Sequence, residues 1–443
     1  MTADTLAASD SLASPDAPTS ASPTRTAWGL VLLMAVVLLG GAVMRTVFGP
    51  LQEAARLDMH MSDMSMSLLQ GFGAGLPIAL FSIPLSWLVD HGNRMRLTTI
   101  LLALCAVGTV WTSLAHGFYP LFAARMLASL GAACAISAVI SLCADWCAPD
   151  RRGRALVILG LGVFIGAAAA FAVGGVMLQA LSAHPLSFLP GMAAWRQTHL
   201  VIGVAGAALI IPLLFIREPK RREVEIRSNA LGPIARALWA KRRFLAPLFI
   251  GQIGVTMADT AGAIWATPIL IRDYHQQPAA FGPWVSGVLL LSGVIGSVLG
   301  GIGSDLGHKT GRRGGLLWAG VIATVIGVPA ALFPIMPNLP SFAFLFFLLS
   351  LHGAITSVVS SAAVTVLIPN EERGACMAFF GVINAIVGLS IAPVIVTVTA
   401  KAMGGDQHLG VALAATGVVT GLVSVAGYVL AMKHAPLNAT EAH

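Results

Sequence analysis

Apolar residues in this chain come in long runs, and polar residues fall in short clusters between them. A helix needs about 20 mostly apolar residues to cross a bilayer. Twelve stretches reach that length: 28–50, 66–89, 97–115, 118–146, 154–181, 197–216, 244–271, 284–304, 315–335, 341–367, 374–400 and 410–432. Pro and Gly interrupt several of them, which packed neighbouring helices tolerate. Residues 1–25 are almost entirely Ser, Thr, Ala, Pro and Asp, a composition that cannot bury a core and is expected to be disordered. The first basic residue, Arg25, stands only just before Trp28, unlike the basic start of a cleaved leader. The first apolar run is therefore expected to be retained.

Composition agrees with this pattern. Hydrophobic residues make up 57% of the 443 and charged residues 10%, too few charges to clothe a soluble protein of this length. Mean hydropathy is +0.84. The five cysteines, Cys105, Cys134, Cys143, Cys147 and Cys376, sit in or beside apolar runs with neither disulfide nor zinc spacing. An even number of crossings puts both termini on one side, and Lys and Arg concentrate on the cytoplasmic side of membrane proteins. With both termini inside, 20 of the 26 basic residues fall on inner ends and loops, nine of them in the stretch 217–243. Only Arg56, Arg196, Arg272 and Lys401 fall outside, while Arg45 and Arg125 lie within helices. The net charge of +7 is thus spent mainly on orientation, and nucleic-acid binding is not expected.

The stretch 217–243 splits twelve segments into six and six, giving a tail over 1–25, a bundle over 26–216, a cytoplasmic linker, a bundle over 244–432 and a tail over 433–443. Matching features recur across the split. Ser86–Trp–Leu–Val–Asp90 and Gly301–Ile–Gly–Ser–Asp305 each end the second segment of a half. Pro149–Asp–Arg–Arg–Gly153 and Pro369–Asn–Glu–Glu–Arg–Gly374 each precede the fifth. The similar offsets argue for an internal duplication, and parallel repeats of six helices build one large transporter fold. The loop Asp90–His–Gly–Asn–Arg94–Met–Arg96 resembles the loop Gly-x-x-x-Asp-Arg-x-Gly-Arg-Arg of the major facilitator superfamily. It departs at Ser86, His91 and Asn93. Arg125–Met–Leu–Ala–Ser–Leu–Gly131 and Arg217–Glu–Pro–Lys resemble the family's fourth and sixth helices. A narrower likeness is to the spinster-like branch and its bacterial relatives. It rests on Arg45 with Glu53, Ser62–Asp63, Leu68–Leu–Gln–Gly71, Ala144–Asp–Trp146, Trp265–Ala–Thr–Pro268, and Asn384 through Gly388 to Pro393. The resemblance implies an all-α membrane protein with twelve transmembrane helices in two pseudo-symmetric six-helix bundles. It also implies that helices 1, 4, 7 and 10 line a central cavity.

Ionisable residues inside membrane helices are costly and are functional candidates by default. Arg45 and Arg125 form a pair suited to a carboxylate or phosphate, since guanidinium stays charged and binds such groups bidentately. Glu53, Gln70, Trp265 and Asn384 join them as substrate-side candidates. The branch's usual acidic positions are here Met44 and Ala132, which leaves Asp259 and His352 to carry protons. At the inner end, Asp90 is expected at the start of helix 11, Arg94 against Asp145, and Asp305 with Arg312 and Arg152, with Arg96 beside them as an inner gate. Residues 59–66 hold Met59, His60, Met61, Met64 and Met66, soft ligands suited to Cu(I) or, more simply, adaptable packing at a helix start. No nucleophile–base set, nucleotide loop or other cofactor motif is present within the helices, so enzymatic activity is not expected. The reading is a monomeric inner (plasma) membrane carrier in contact with lipid. It moves a small, anionic organic molecule with protons by alternating access, with a Cu(I) or drug carrier of the same fold as the alternative.

Overall fold

The computed structural model describes residues 26–219, 221 and 231–436. The expected tail over 1–25, residues 222–230 of the linker and residues 437–443 lie outside the described residues. The described residues are helical, without a strand, and twelve helices are long and apolar enough to cross a membrane. They are α1 (Trp28–Asp58), α2 (Asp63–His91), α3 (Arg94–Leu114), α4 (Phe118–Trp146), α5 (Pro149–Ala183) and α6 (Ala194–Leu214). The second set is α7 (Arg242–Arg272), α8 (Pro278–Lys309), α9 (Gly315–Ile335), α10 (Leu339–Leu367), α11 (Glu371–Ala402) and α12 (Asp406–His434). A further short helix, Leu231–Ala240, lies between α6 and α7. Because successive helices reverse direction, the start of α1 and the end of α12 share the end that carries the linker. We call this the linker end and its opposite the far end.

Local sequence explains where helices start and bend. Ser62, Asn93 and Asn338 cap α2, α3 and α10 by accepting the amide hydrogens of Ser65, Arg96 and Ser341. α1 is interrupted at Val47, just ahead of Pro50, and resumes as Phe48–Asp58, its far-end arm. α11 widens into a π-helical stretch, Asn384–Ile391, where the Ser390 hydroxyl donates to the Ala385 carbonyl at 2.9 Å. Ile83, Val157, Ile302 and Val419 are exposed, as lipid-facing positions require.

The two bundles repeat one packing plan. α4 packs on α1, α2 and α3, and α10 packs likewise on α7, α8 and α9. α3 pairs with α6 as α9 pairs with α12. The seam between the halves is built from α2 against α11 and α5 against α8, with the far-end arm of α1 against α7. Both sides of the seam depend on missing side chains. Gly75 packs against Ala385 and Ser390 of the π-helical stretch, and a Cβ at Gly282 would stand 2.5 Å from the Phe171 carbonyl oxygen.

Candidate functional site

Arg125 is buried in α4, and its guanidinium reaches α1. Its Nη2 donates to the Arg45 carbonyl oxygen at 2.8 Å, and its Cζ lies 4.8 Å from the centre of the Phe48 ring. Phe48 is the first residue of the far-end arm of α1. Arg125 Nε and Nη1 are buried without a hydrogen-bond partner among the described residues. The Arg45 side chain is half-buried and makes no hydrogen bond or ion pair among those residues. Gly41 abuts Ala132 across the α1–α4 contact, so Arg45, one turn further along α1, stands near the level of Ser129. The buried Ser129 hydroxyl also lacks a partner. Behind Phe48, at 5.7 Å between ring centres, lies His199 of α6. Its Nδ1 bonds the Trp195 carbonyl at 2.8 Å, which puts the proton there and leaves a bare lone pair on the buried, unpartnered Nε2. His199 and Ser129 were not singled out from the sequence; each occupies a helix where polar residues more often serve packing.

Across the space, Asp259 of α7 packs its carboxylate against the backbone of Gly353 in α10 and makes no hydrogen bond or ion pair among the described residues. His352 is buried beside it in sequence but turns its ring toward Gly327 of α9, with Nδ1 against the Leu349 carbonyl. No bond joins Asp259 to His352. Trp265 is fully buried and donates from Nε1 to the Pro393 carbonyl at 3.3 Å, tying α7 to α11. Asn384 opens the π-helical stretch and lines a recess of about 110 Å³ between α7, α10 and α11.

The far end holds the polar bonds that join the halves. Arg272, at the end of α7, donates to Glu53 Oε2 at 2.7 Å and to Asp63 Oδ2 and Oδ1 at 2.7 and 2.8 Å. Arg56 bonds the same Glu53 at 2.7 Å. Gln70 bonds Gln52, whose own amide donates to the Ile264 carbonyl of α7 at 2.5 Å. Ser67 of α2 lies 3.3 Å from Thr397 of α11. Glu53 and Gln70, expected beside the substrate, are thus placed in the far-end closure, and Asp63, Arg272 and Gln52 complete it. Just beyond Arg272, burial pushes the Asp273 carboxyl above the usual carboxylate range, against the pull of Arg272 and His275.

Residues 30–393 match the Major Facilitator Superfamily. The chain belongs to that superfamily. It is 23% identical over 396 residues to an MFS-type efflux pump of Mycolicibacterium smegmatis, covering 88% of this chain and 89% of that one. It is 26% identical over 309 residues to human protein spinster homolog 1, covering 67% and 56% of the two chains. It is 25% identical over 327 residues to a probable 4-methylmuconolactone transporter of Cupriavidus pinatubonensis, covering 71% and 68%. The crystal structure of a bacterial homolog of the human lysosomal transporter spinster, inward-facing and unoccupied, superposes with a TM-score of 0.72 at 20% identity. That match covers 94% of this chain and 96% of that one. The protein is therefore a multi-pass membrane transporter resembling the spinster branch of its superfamily.

In this transporter the linker end is organised by the segment after α6. Arg94 is buried and meets Asp145 at 2.6 Å, Glu218 at 2.8 Å and the Ser141 carbonyl at 3.1 Å. Glu218 also accepts the Met95 amide at 2.8 Å, capping α3. Arg221 collects the carbonyls of Val89, Asp90 and Gly92 at the end of α2. Arg96 is exposed and Arg152 is half-buried in the first turn of α5. Asp305 and Arg312 are exposed, and their side chains make no bond among the described residues. Lys241 pairs with Glu372 at 2.5 Å within the second half. Met59 packs against the core at the start of the Met-rich stretch 59–66. Met61 and Met66 lie in the core, and the Met64 sulfur accepts from Ser67 and Thr397, each at 3.7 Å.

Proposed function

We propose that this transporter moves a small organic anion across the inner membrane by rocking its bundles, 26–216 and 244–432, about a central site, coupled to protons. The observation that carries the reading is the Arg125–Arg45 pair. Arg125 reaches the Arg45 backbone in one half, with two buried nitrogens of Arg125 unbonded and neither side chain ion-paired to a carboxylate among the described residues. An uncompensated buried charge costs several kcal/mol, and a bound carboxylate or phosphate removes that cost while filling the empty donor positions. Arg272 joins the two halves at the far end. With both termini cytoplasmic, this arrangement is closed to the outside. Asp259, bare of partners at the α7–α10 contact, carries the proton, with His352 behind it.

Relatives support an acid as cargo: the chain is similar to a probable galactarate/D-glucarate transporter of Bacillus subtilis and a 3-(3-hydroxy-phenyl)propionate transporter of Escherichia coli. The test is uptake of radiolabelled organic acids into vesicles containing the purified protein, with and without an inward pH gradient. Arg45→Ala is expected to lower uptake at least about tenfold, the loss of one charge-assisted bond. Asp259→Asn is expected to remove the response to the gradient. Wild-type uptake by Arg45→Ala refutes the anion site.

A further inference from the structure

The recess in the second half carries chemistry that the arginine pair does not explain. Its walls hold Gln252 and Thr256 of α7, Ser360 and Ser361 of α10 and Asn384 of α11, and no charged residue lines it. The hydroxyl protons are already committed. Ser361 donates to the Ser357 carbonyl at 2.9 Å, Thr256 to the Gln252 carbonyl at 3.0 Å and Ser360 to Gln252 Oε1 at 3.1 Å. The lone pairs that remain can only accept. Asn384 Oδ1 is buried, unbonded and a further acceptor.

Gln252 is fixed in one orientation. Tyr428 donates to its Oε1 at 2.6 Å and Ser360 to the same oxygen, so its amide hydrogens are the donors left over. This Gln252–Ser360–Tyr428 set is buried and mutually bonded, which pre-orients the amide before any ligand arrives. The π-helical widening of α11 begins at Asn384, the position that brings its carboxamide to the wall, and Gly388 one turn later leaves room beside both Asn384 and Thr256. Such widenings are frequent at functional sites. Phe249 and Phe380, 4.7 Å apart between ring centres, close one side with apolar surface.

We infer that this recess is a neutral subsite for the hydroxyl-bearing part of the cargo, built from Asn384, Gln252, Thr256 and Ser361. A ligand hydroxyl supplies the hydrogen that Asn384 Oδ1 lacks and accepts from the Gln252 amide. The Asn384 and Gln252 carboxamides also carry N–H donors, so the wall sets donors beside acceptors, a mixture that a hydroxyl, which both gives and takes a hydrogen bond, satisfies. The inference rests on the proposed transport of an organic anion: the charged end goes to the first half and the hydroxylated end to the second. Cargo that spans both bundles is thus selected by hydroxylation as well as by charge.

The experiment is equilibrium binding to purified full-length protein of three six-carbon probes: hexanedioate, its tetrahydroxy derivative and the corresponding uncharged hexitol. Wild-type protein is expected to bind the tetrahydroxy acid about tenfold more tightly than hexanedioate, the worth of one or two net hydrogen bonds. Asn384→Leu is expected to bring the two acids to equal affinity, through a loss of about tenfold in binding of the tetrahydroxy acid. Thr256→Val, nearly isosteric, reduces the preference in part and guards against a folding defect in the first variant. If the hexitol alone binds and Asn384→Leu abolishes it, the subsite stands and the anion reading falls. A preference that survives in Asn384→Leu, or no binding by either hydroxylated probe, overturns the subsite.

Discussion

Replacing Arg272 by Ala is expected to open the far end. Arg272 makes four hydrogen bonds to first-half carboxylates, to Glu53 at 3.1 and 2.7 Å and to Asp63 at 2.7 and 2.8 Å. Its side chain is 23% exposed, whereas those of Glu53 and Asp63 are 6% and 1% exposed. Charge-assisted bonds are each worth about 1.5–3 kcal/mol net when buried. The exposure of Arg272 and the continued pairing of both acids with Arg56 reduce the set to about 2 kcal/mol between the closed and open arrangements. That is about a 30-fold change in their ratio, so an open population of about 3% rises to about half. Spin labels on Tyr119→Cys and Met403→Cys, exposed far-end positions on opposite halves, report the distance. The five native cysteines are buried and stay unlabelled. Arg272→Ala and the double variant Glu53→Gln/Asp63→Asn should both add a long-distance population. Arg56→Ala should not, since Arg56 bonds only its own half. Unchanged distances in the first two variants, or equal opening by Arg56→Ala, refute the reasoning.

Other variants test other contacts. Gly282→Val sets a side chain against the Phe171 backbone, so the α5–α8 seam should part and the same label pair lengthen, with transport lost; wild-type transport would show that the seam relaxes freely. Arg94→Ala removes the cation that bonds both Asp145 and Glu218 and should destabilise the first half by up to about 3 kcal/mol, measured by thermal unfolding in detergent. If far-end label distances change in Arg94→Ala while its melting temperature does not, the residue acts in switching and not in stability.

The twelve spans, the six-and-six division and the Arg94–Asp145 pair are legible in the residue order. Each follows from length and hydropathy, or from motifs with fixed spacing within one half. Bilayer-spanning helices satisfy their own backbone bonds, so one segment's pattern determines that segment. What joins one segment to another could not be read this way. Arg272 looks like a topology charge in the sequence, yet it meets two first-half carboxylates across the seam, 209 and 219 residues away, while Arg56 pairs with the same two from their own half. Glu218 and Arg221 lie in an ordinary basic linker but cap α3 and gather the end of α2. Gln252 reads as one polar residue in an apolar helix until Tyr428, 176 residues later, fixes its amide. The sequence by itself determined the number and approximate bounds of the helices and their six-and-six division, because those depend on hydropathy along one axis. Tertiary structure alone decided which lone polar groups meet, because helix rotation and bend, set by glycine contacts and by the breaks at Val47 and Asn384, choose the face each side chain presents.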